Sequence, residues 1–254
     1  MHLADGILQS PALLGGAAVI SAAGLALALR DSSAESGAKH GLAFTGTLAA
    51  VVLAVQALNV PLFPGVSAHA IGASLLVFVL GPARAIIALT AVLLAQALLF
   101  ADGGLTALGI NVLNIALLPV VCVTAVRRLA PARLGLQAVL GTTLGNLAGS
   151  LCLAAMLVVG AGAEPRVTFG VLVGVQAISG LVEGALTAAA VSRIARRAPA
   201  LVRPSTDARV TPTLTRAALA WTVIALGVLV LLLPFASASP DALEVVLDKT
   251  RLEP

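Results

Sequence analysis

Residues 135–161 read GLQAVLGTTLGNLAGSLCLAAMLVVGA. No Asp, Glu, Lys or Arg interrupts this stretch. As a helix it would be about 40 Å long, more than the ~30 Å hydrocarbon core of a bilayer. Gly141, Gly145 and Gly149 recur four apart, which puts them on one helix face. Small residues at that spacing let two helix backbones approach closely inside lipid, where no water drives them together. The stretch therefore reads as a transmembrane helix pressed against a neighbour.

The rest of the chain has the same character. Of 254 residues, 59% are apolar and 10% are charged, with a mean hydropathy of +1.08. A soluble domain is about one quarter charged, so the solvent for this surface must be lipid. No period-two alternation is evident, which argues against a β-barrel. Tyr is absent and aromatics make up 3%, so any aromatic belt is weak. The reading is an all-α polytopic membrane protein. Eight candidate spans lie at 12–29, 43–60, 67–81, 83–101, 107–126, 135–161, 168–192 and 215–234. The third is short and contains His69, so it is expected to start below the surface or to tilt. Pro64 and Gly65 should keep the preceding NVPLFPGVS out of a regular helix. Gly170 and Gly174, and Gly180 and Gly184, are further candidates for close helix contacts.

The basic residues test this order. With the N-terminus outside, the inner loops carry Arg30 and Lys39; Arg84; Arg127, Arg128 and Arg133; and Arg193, Arg196, Arg197, Arg203, Arg209 and Arg216. The outer segments hold only Arg166, Lys249 and Arg251. The positive-inside rule then places both termini outside. In such a chain the formal charge of +4 reports orientation, not a nucleic-acid partner. Residues 1–11 contain no Lys or Arg, so they lack the basic leader of a signal peptide. Residues 198–214, APALVRPSTDARVTPTL, read as a cytoplasmic linker between a seven-helix unit at 1–197 and a final helix with its tail at 215–254. Cys122 and Cys152 sit in apolar runs with no CxxC partner and read as packing residues.

The chemistry begins at MHLADG. The terminal amine of Met1 and the backbone nitrogen of His2 can close a five-membered ring on a metal. The same backbone nitrogen and His2 Nδ1 can close a six-membered ring. Three nitrogens then lie near one plane, and a fourth would complete a square that suits Ni(II), Cu(II) or low-spin Co(II) better than tetrahedral Zn(II). Of the other two histidines, His40 falls in an inner loop and His69 lies on the same side as Met1. A lone helix histidine is also an ordinary hydrogen-bonded packing residue. Asp5, Ser67, Asp102, Asn111 and Asn114 are candidates for a supporting shell around the ligands. The stretch Asp102-Gly103-Gly104 also reads simply as a helix break. Glu183 lies inside the seventh span, where a buried charge is costly. It would serve coupling to a partner, relay a proton, or pair with an inner arginine.

Three motifs in this order carry a resemblance: MHLADG, FPGVSAHAIG and QALLFADGGLTALGINVLN. Together they resemble the substrate-binding membrane subunit of cobalt/nickel energy-coupling-factor transporters (the CbiM/NikM family) over residues 1–195. The resemblance implies an S-component in a prokaryotic plasma membrane that captures Ni(II) or Co(II) outside. Its partners would be a transmembrane coupling subunit and two cytoplasmic ATPases. It also implies metal ligands at Met1, His2 and His69. The MHxxDG opening is more similar to nickel members. The tail FASASPDALEVVLDK is similar to the small accessory component of these systems (CbiN/NikN-like), matching at Pro240, Asp241, Leu243 and Glu244. Ala242 stands where that signature has glycine, which puts a tight turn there in doubt. Val66 replaces a threonine and Gln176 a histidine of the family pattern.

No G-x-x-x-x-G-K-[ST] is present, so this chain is read as binding no ATP. No HExxH is present for an intramembrane metalloenzyme. The remaining alternative is an ion-coupled secondary metal carrier that works through Glu183.

Overall fold

The computed structural model describes residues 1–34, 42–130, 133–202, 237 and 239–252. Its helical elements are α1 (Pro11–Ala34), α2 (Leu42–Gln56), α3 (Ala73–Leu80), α4 (Pro82–Ala95), α5 (Leu108–Asn111), α6 (Leu118–Leu129), α7 (Leu134–Ala161), α8 (Pro165–Arg197), α9 (Pro199–Val202) and α10 (Ala242–Thr250). Among the described residues, five helical rods are long and apolar enough to cross a membrane: Pro11–Ser32, Pro82–Phe100, Leu108–Leu129, Leu134–Ala161 and Pro165–Arg197. The shorter α2 is apolar along its 15 residues. The expected span at 215–234 lies outside the described residues.

The third expected span is corrected. Residues 60–68 form a two-stranded antiparallel hairpin, β1 (Val60–Phe63) and β2 (Val66–Ala68), turning at Pro64-Gly65 as the sequence requires. His69 follows β2 in a loop, and α3 has only 8 residues, about 12 Å of helix. It cannot span the bilayer alone. Gly72, at φ +80, turns the chain into α3. At its far end Gly81 and Pro82 reverse the chain into α4, with proline at the first helical position.

The glycine faces sort themselves by contact. On α7, a Cβ at Gly141 would lie 3.1 Å from the Val123 Cα, and one at Gly145 2.9 Å from the Pro119 Cα. One at Gly149 would meet the Asn114 carbonyl oxygen at 2.2 Å. On α8, a Cβ at Gly180 or Gly184 would come within 2.9 or 2.8 Å of the α7 backbone. α7 is therefore seated against α6 on one side and α8 on the other. At Gly170 and Gly174, no neighbour among the described residues lies within 4 Å of either added Cβ.

Two rods carry a π-helical segment, Gln96–Phe100 after α4 and Val112–Leu117 between α5 and α6. They flank the loop 101–107. Insertions of this kind re-aim side chains and recur at functional sites. The start of the expected linker is also ordered: Pro199–Val202 form α9, with Val202 buried.

Candidate metal centre

The N-terminal segment is threaded into the end of the bundle that carries loop 101–107. Met1 is 2% exposed and Leu3 is fully buried. Asn111 of α5 pairs with Leu3 as a strand neighbour would: Leu3 N donates to Asn111 Oδ1 at 2.8 Å, and Asn111 Nδ2 donates to Leu3 O at 3.0 Å. The Gly104 amide adds a second donor to Leu3 O at 2.8 Å. Asp5 then accepts from the backbone N–H groups of Leu105, Thr106 and Ala107 and from the Thr106 hydroxyl. It ties down, from another segment, the turn that leads into α5. The Thr106 hydroxyl, aided by those amides, holds the Asp5 carboxyl below its ordinary pKa. This approach needs glycine: a Cβ on Gly104 would sit 2.0 Å from Asp5 Oδ1. Gly103 turns the loop at φ +91, and a Cβ there would press on Asn111 Nδ2 at 3.0 Å and His2 Cβ at 3.3 Å.

These restraints bring Met1 and His2 to His69. The Met1 amine lies 3.1 Å from His69 Nε2. Adjacent corners of a square with metal–nitrogen bonds of about 2.0–2.1 Å are about 2.9 Å apart, so the two nitrogens stand close to the spacing a planar metal requires. The His2 and His69 rings stack, with centroids 4.9 Å apart and planes 6° apart. His2 Nδ1 lies 3.0 Å from Asp102 Oδ1. His2 Nε2 is buried with no hydrogen-bond partner. With Nδ1–H donated to Asp102, Nε2 holds a desolvated lone pair, an arrangement that favours a cation. The six-membered chelate read from sequence uses Nδ1, so closing it requires the His2 ring to turn away from Asp102.

The electrostatics favour a neutral imidazole beside two carboxylates. Burial pushes His69 down to about 3, helped by the Met1 ammonium and His2. Burial opposes ionisation of Asp102, but the His2 hydrogen bond and the neighbouring positive charges outweigh it and the pKa falls. Among the described residues, no three His, Cys, Asp or Glu side chains converge as a metal site. The candidate set instead depends on an amine and a backbone nitrogen.

The other expected residues fall in three places. The Ser67 hydroxyl donates to the Ser239 carbonyl at 2.7 Å and so faces the tail, not the ligands. Asn114 is buried in the π-helical segment with both amide atoms unpartnered. Glu183 has backbone and amide partners where the sequence offered an inner arginine. It accepts from Ile71 N at 2.9 Å, Gly72 N at 2.7 Å and Asn146 Nδ2 at 3.3 Å. It thus fixes the backbone two and three residues beyond His69 and caps α3.

Asp241 is the residue that sequence reasoning missed as part of this site. It contacts the Met1 amine directly. Burial works against its charge, but the Met1 ammonium and His69 hold its carboxyl far below the usual range. It is the N-cap of α10 at φ −77, and with Glu244 it forms a reciprocal capping box. Ala242 is the first helical residue, so no positive φ is required of it and the doubt over that alanine is resolved. The Asp-x-x-Glu spacing is the local signal that could have marked a helix start here; no local signal points to the contact with Met1.

Comparison with known proteins gives a consistent picture. Residues 2–201 match the family described as cobalt uptake substrate-specific transmembrane region, CbiM. A protein of Haloquadratum walsbyi named for metal transport is 34% identical over 80% of this chain and 93% of its own length. The fused nickel transport protein NikMN of Rhodobacter capsulatus is 34% identical over 46% of this chain, and the match spans 33% of that protein. The cobalt transport protein CbiM of Geobacter sulfurreducens is 35% identical over 45% of this chain and 33% of its own length. The crystal structure of a truncated transition metal transporter superposes with a TM-score of 0.67 at 27% identity, covering 78% of this chain and 99% of that one.

Proposed function

The chain belongs to the cobalt uptake substrate-specific transmembrane (CbiM) family, a multi-pass membrane component of cobalt and nickel transport, and from that premise we propose that it captures Ni(II) or Co(II) as cargo through its own N-terminus. The observation that carries the reading is the buried Met1 amine 3.1 Å from His69 Nε2, beside a His2 ring with an unpartnered buried nitrogen. In this reading Met1, His2 and His69 supply the nitrogens. Asp102 holds the His2 ring in the metal-free protein and would release it as Nδ1 joins the chelate, and Asn111 and Asp5 fix the segment that presents it. Glu183 fixes the loop that presents His69. The planar four-nitrogen arrangement and the MHxxDG opening favour Ni(II) over Co(II).

We assign the chain the substrate-binding role in an ATP-driven importer of the energy-coupling-factor type. A transmembrane coupling subunit and two ATPases would act on the side where the arginines of the α6–α7 turn and the end of α8 gather. Residues 215–254 act as a fused accessory component, and both termini face outside.

Calorimetric titration of protein with a free Met1 amine, using Ni(II) and Co(II), tests the site. One metal per chain is expected, lost in His2→Ala and in His69→Ala. Unchanged binding in both variants would remove the N-terminus from the function. Reconstituted vesicles test the energetics. ATP-dependent uptake that requires the partner subunits is expected; gradient-driven uptake by this chain alone would make it a secondary carrier.

A further inference from the structure

The tail residues 237–252 lie beyond the segment that matches the family, yet one of them reaches the centre of the site. We propose that Asp241 is a positioning residue for metal capture, its carboxylate holding the terminal amine of Met1 in the orientation that presents its lone pair to the cargo. The inference rests on the metal reading above and extends it to a residue that reading does not need.

The two oxygens of Asp241 have separate tasks. Oδ1 accepts from Leu243 N at 2.8 Å and Glu244 N at 2.9 Å, which is all that capping α10 asks of the side chain. Oδ2 meets the Met1 amine and has no part in the cap. A residue needed only as a cap has no reason to aim its second oxygen at a buried amine on the far end of the chain.

Its position is set independently of that contact. Glu244 accepts from the Asp241 amide at 2.7 Å. Ser67 N donates to the Pro240 carbonyl at 2.9 Å, and the Ser67 hydroxyl takes the Ser239 carbonyl. Ser237 N donates to the Asn59 carbonyl at 2.8 Å. Ala242, Leu243 and Val246 are buried, and α10 lies along α8. The carboxylate is thus held by β2 and by its own helix, two residues along the chain from His69 at the point where Ser67 bridges to Asp241.

The chemistry suits the placement. On capture the Met1 ammonium would release one proton to solvent; the amine then gives its lone pair to the metal and keeps two N–H bonds, which the metal makes better donors. A fixed carboxylate accepting one of them orients the lone pair and raises the donor strength of the nitrogen. It also places a negative charge against a dication brought into a dry site. Asp102 meets His2 Nδ1 in the metal-free protein, a contact that chelation through Nδ1 would exchange for the metal. Each of the two N-terminal residues therefore has its own carboxylate, one from loop 101–107 and one from the tail.

The test compares Asp241→Asn with Glu244→Ala in the full chain, with Ni(II) as the probe. Asparagine caps a helix as well as aspartate does; with its oxygen kept for the cap, it removes the charge and sets an NH2 donor in place of the acceptor that faces Met1. Loss of an orienting partner of a metal ligand typically weakens affinity about 10–100-fold, and that is the loss expected in Asp241→Asn. Glu244→Ala cuts the return bond of the capping box and touches no ligand, so binding is expected to stay within about threefold. The acylation rate of the Met1 amine in the metal-free protein is a second readout, expected to rise in Asp241→Asn and not in Glu244→Ala. Wild-type affinity in Asp241→Asn would overturn the proposal. Equal losses in both variants would overturn it too, by showing that tail docking and not the carboxylate matters. If His2→Ala binds Ni(II) unchanged, the metal reading itself fails, whatever Asp241 does.

Discussion

The two ends of the described chain meet beside His69, and they are secured in different ways. The N-terminal end is fixed residue by residue through its backbone. Leu3 is paired on both sides with Asn111, its carbonyl is shared with Gly104, and Asp5 grips three successive amides. The tail is secured as a body, by a strand-like bridge at Ser67 and a short helix laid on α8. The difference follows from what each end supplies. A terminal amine and a backbone nitrogen have no side chain to aim them, so the main chain itself must be immobile. A carboxylate can be aimed by a helix cap, and the rest of the tail needs only to dock.

Breaking the N-terminal end at its tip should have the largest effect. Complete acetylation of Met1 removes both the lone pair and the charge. Metal affinity is expected to fall by more than about 100-fold, taking ~3 kcal/mol as one ligand's share of a four-donor site. Retained affinity in calorimetry would take the amine out of the site.

Asn111→Leu attacks the same end one step back. It leaves the buried Leu3 amide without an acceptor, at a cost of about 1–3 kcal/mol. A drop of about 10–100-fold in Ni(II) affinity is expected, with faster hydrogen exchange at Leu3. Unchanged exchange would mean that the segment is held by other contacts.

Glu183→Gln should have a smaller effect, about tenfold, because glutamine retains one acceptor for the Ile71 and Gly72 amides. Calorimetry again decides, and full affinity would separate Glu183 from the His69 loop.

Acid sharpens the comparison in the metal-free protein. His69 protonates near 6.5 when unfolded but only near 3 when folded. Between those values the unfolded chain binds the extra proton, so stability rises with pH across the window and falls as pH drops below about 6.5. At pH 5 the loss is on the order of 2 kcal/mol. His69→Gln should flatten that dependence in thermal melts, and an unchanged slope would assign it elsewhere.

The tail should respond least. Val246→Ala opens a cavity under α10, where Val246 is fully buried, and should weaken docking by about 1–2 kcal/mol. Affinity is expected to fall less than about tenfold. A larger loss would mean that the tail is secured as tightly as the N-terminus.

Much of the fold was legible because lipid imposes a simple rule on composition. The long rods match expected spans within a few residues, since each needs an apolar run of nearly fixed length. The glycines of α7 were informative because four-residue spacing has one geometric meaning. Gly170 and Gly174 have the same spacing and meet no neighbour among the described residues, so spacing marks a face without naming what covers it. The third span was misread because apolar residues on both sides of His69 hide a hairpin and a half-length helix inside one hydropathic run. Chemistry at the N-terminus suggested a chelate at Met1 and His2 and the resemblance added His69; the structure brings the three residues together. Asp241 was not readable, because its partner lies 240 residues away and neither local sequence hints at the other.

The bond from Glu183 to the loop after His69 also works as a depth gauge. At 1.5 Å per residue, Glu183 stands roughly 27 Å from the start of α8 at Pro165 and roughly 15 Å from Arg193 near its other end. The floor of the site is therefore nearer the arginine-bearing end than the end where the N-terminus enters. On the proposed reading a captured cation would rest on that floor, just past the middle of α8. On that side stands α3, a helix of only two turns, where a full membrane span would need about 20 residues.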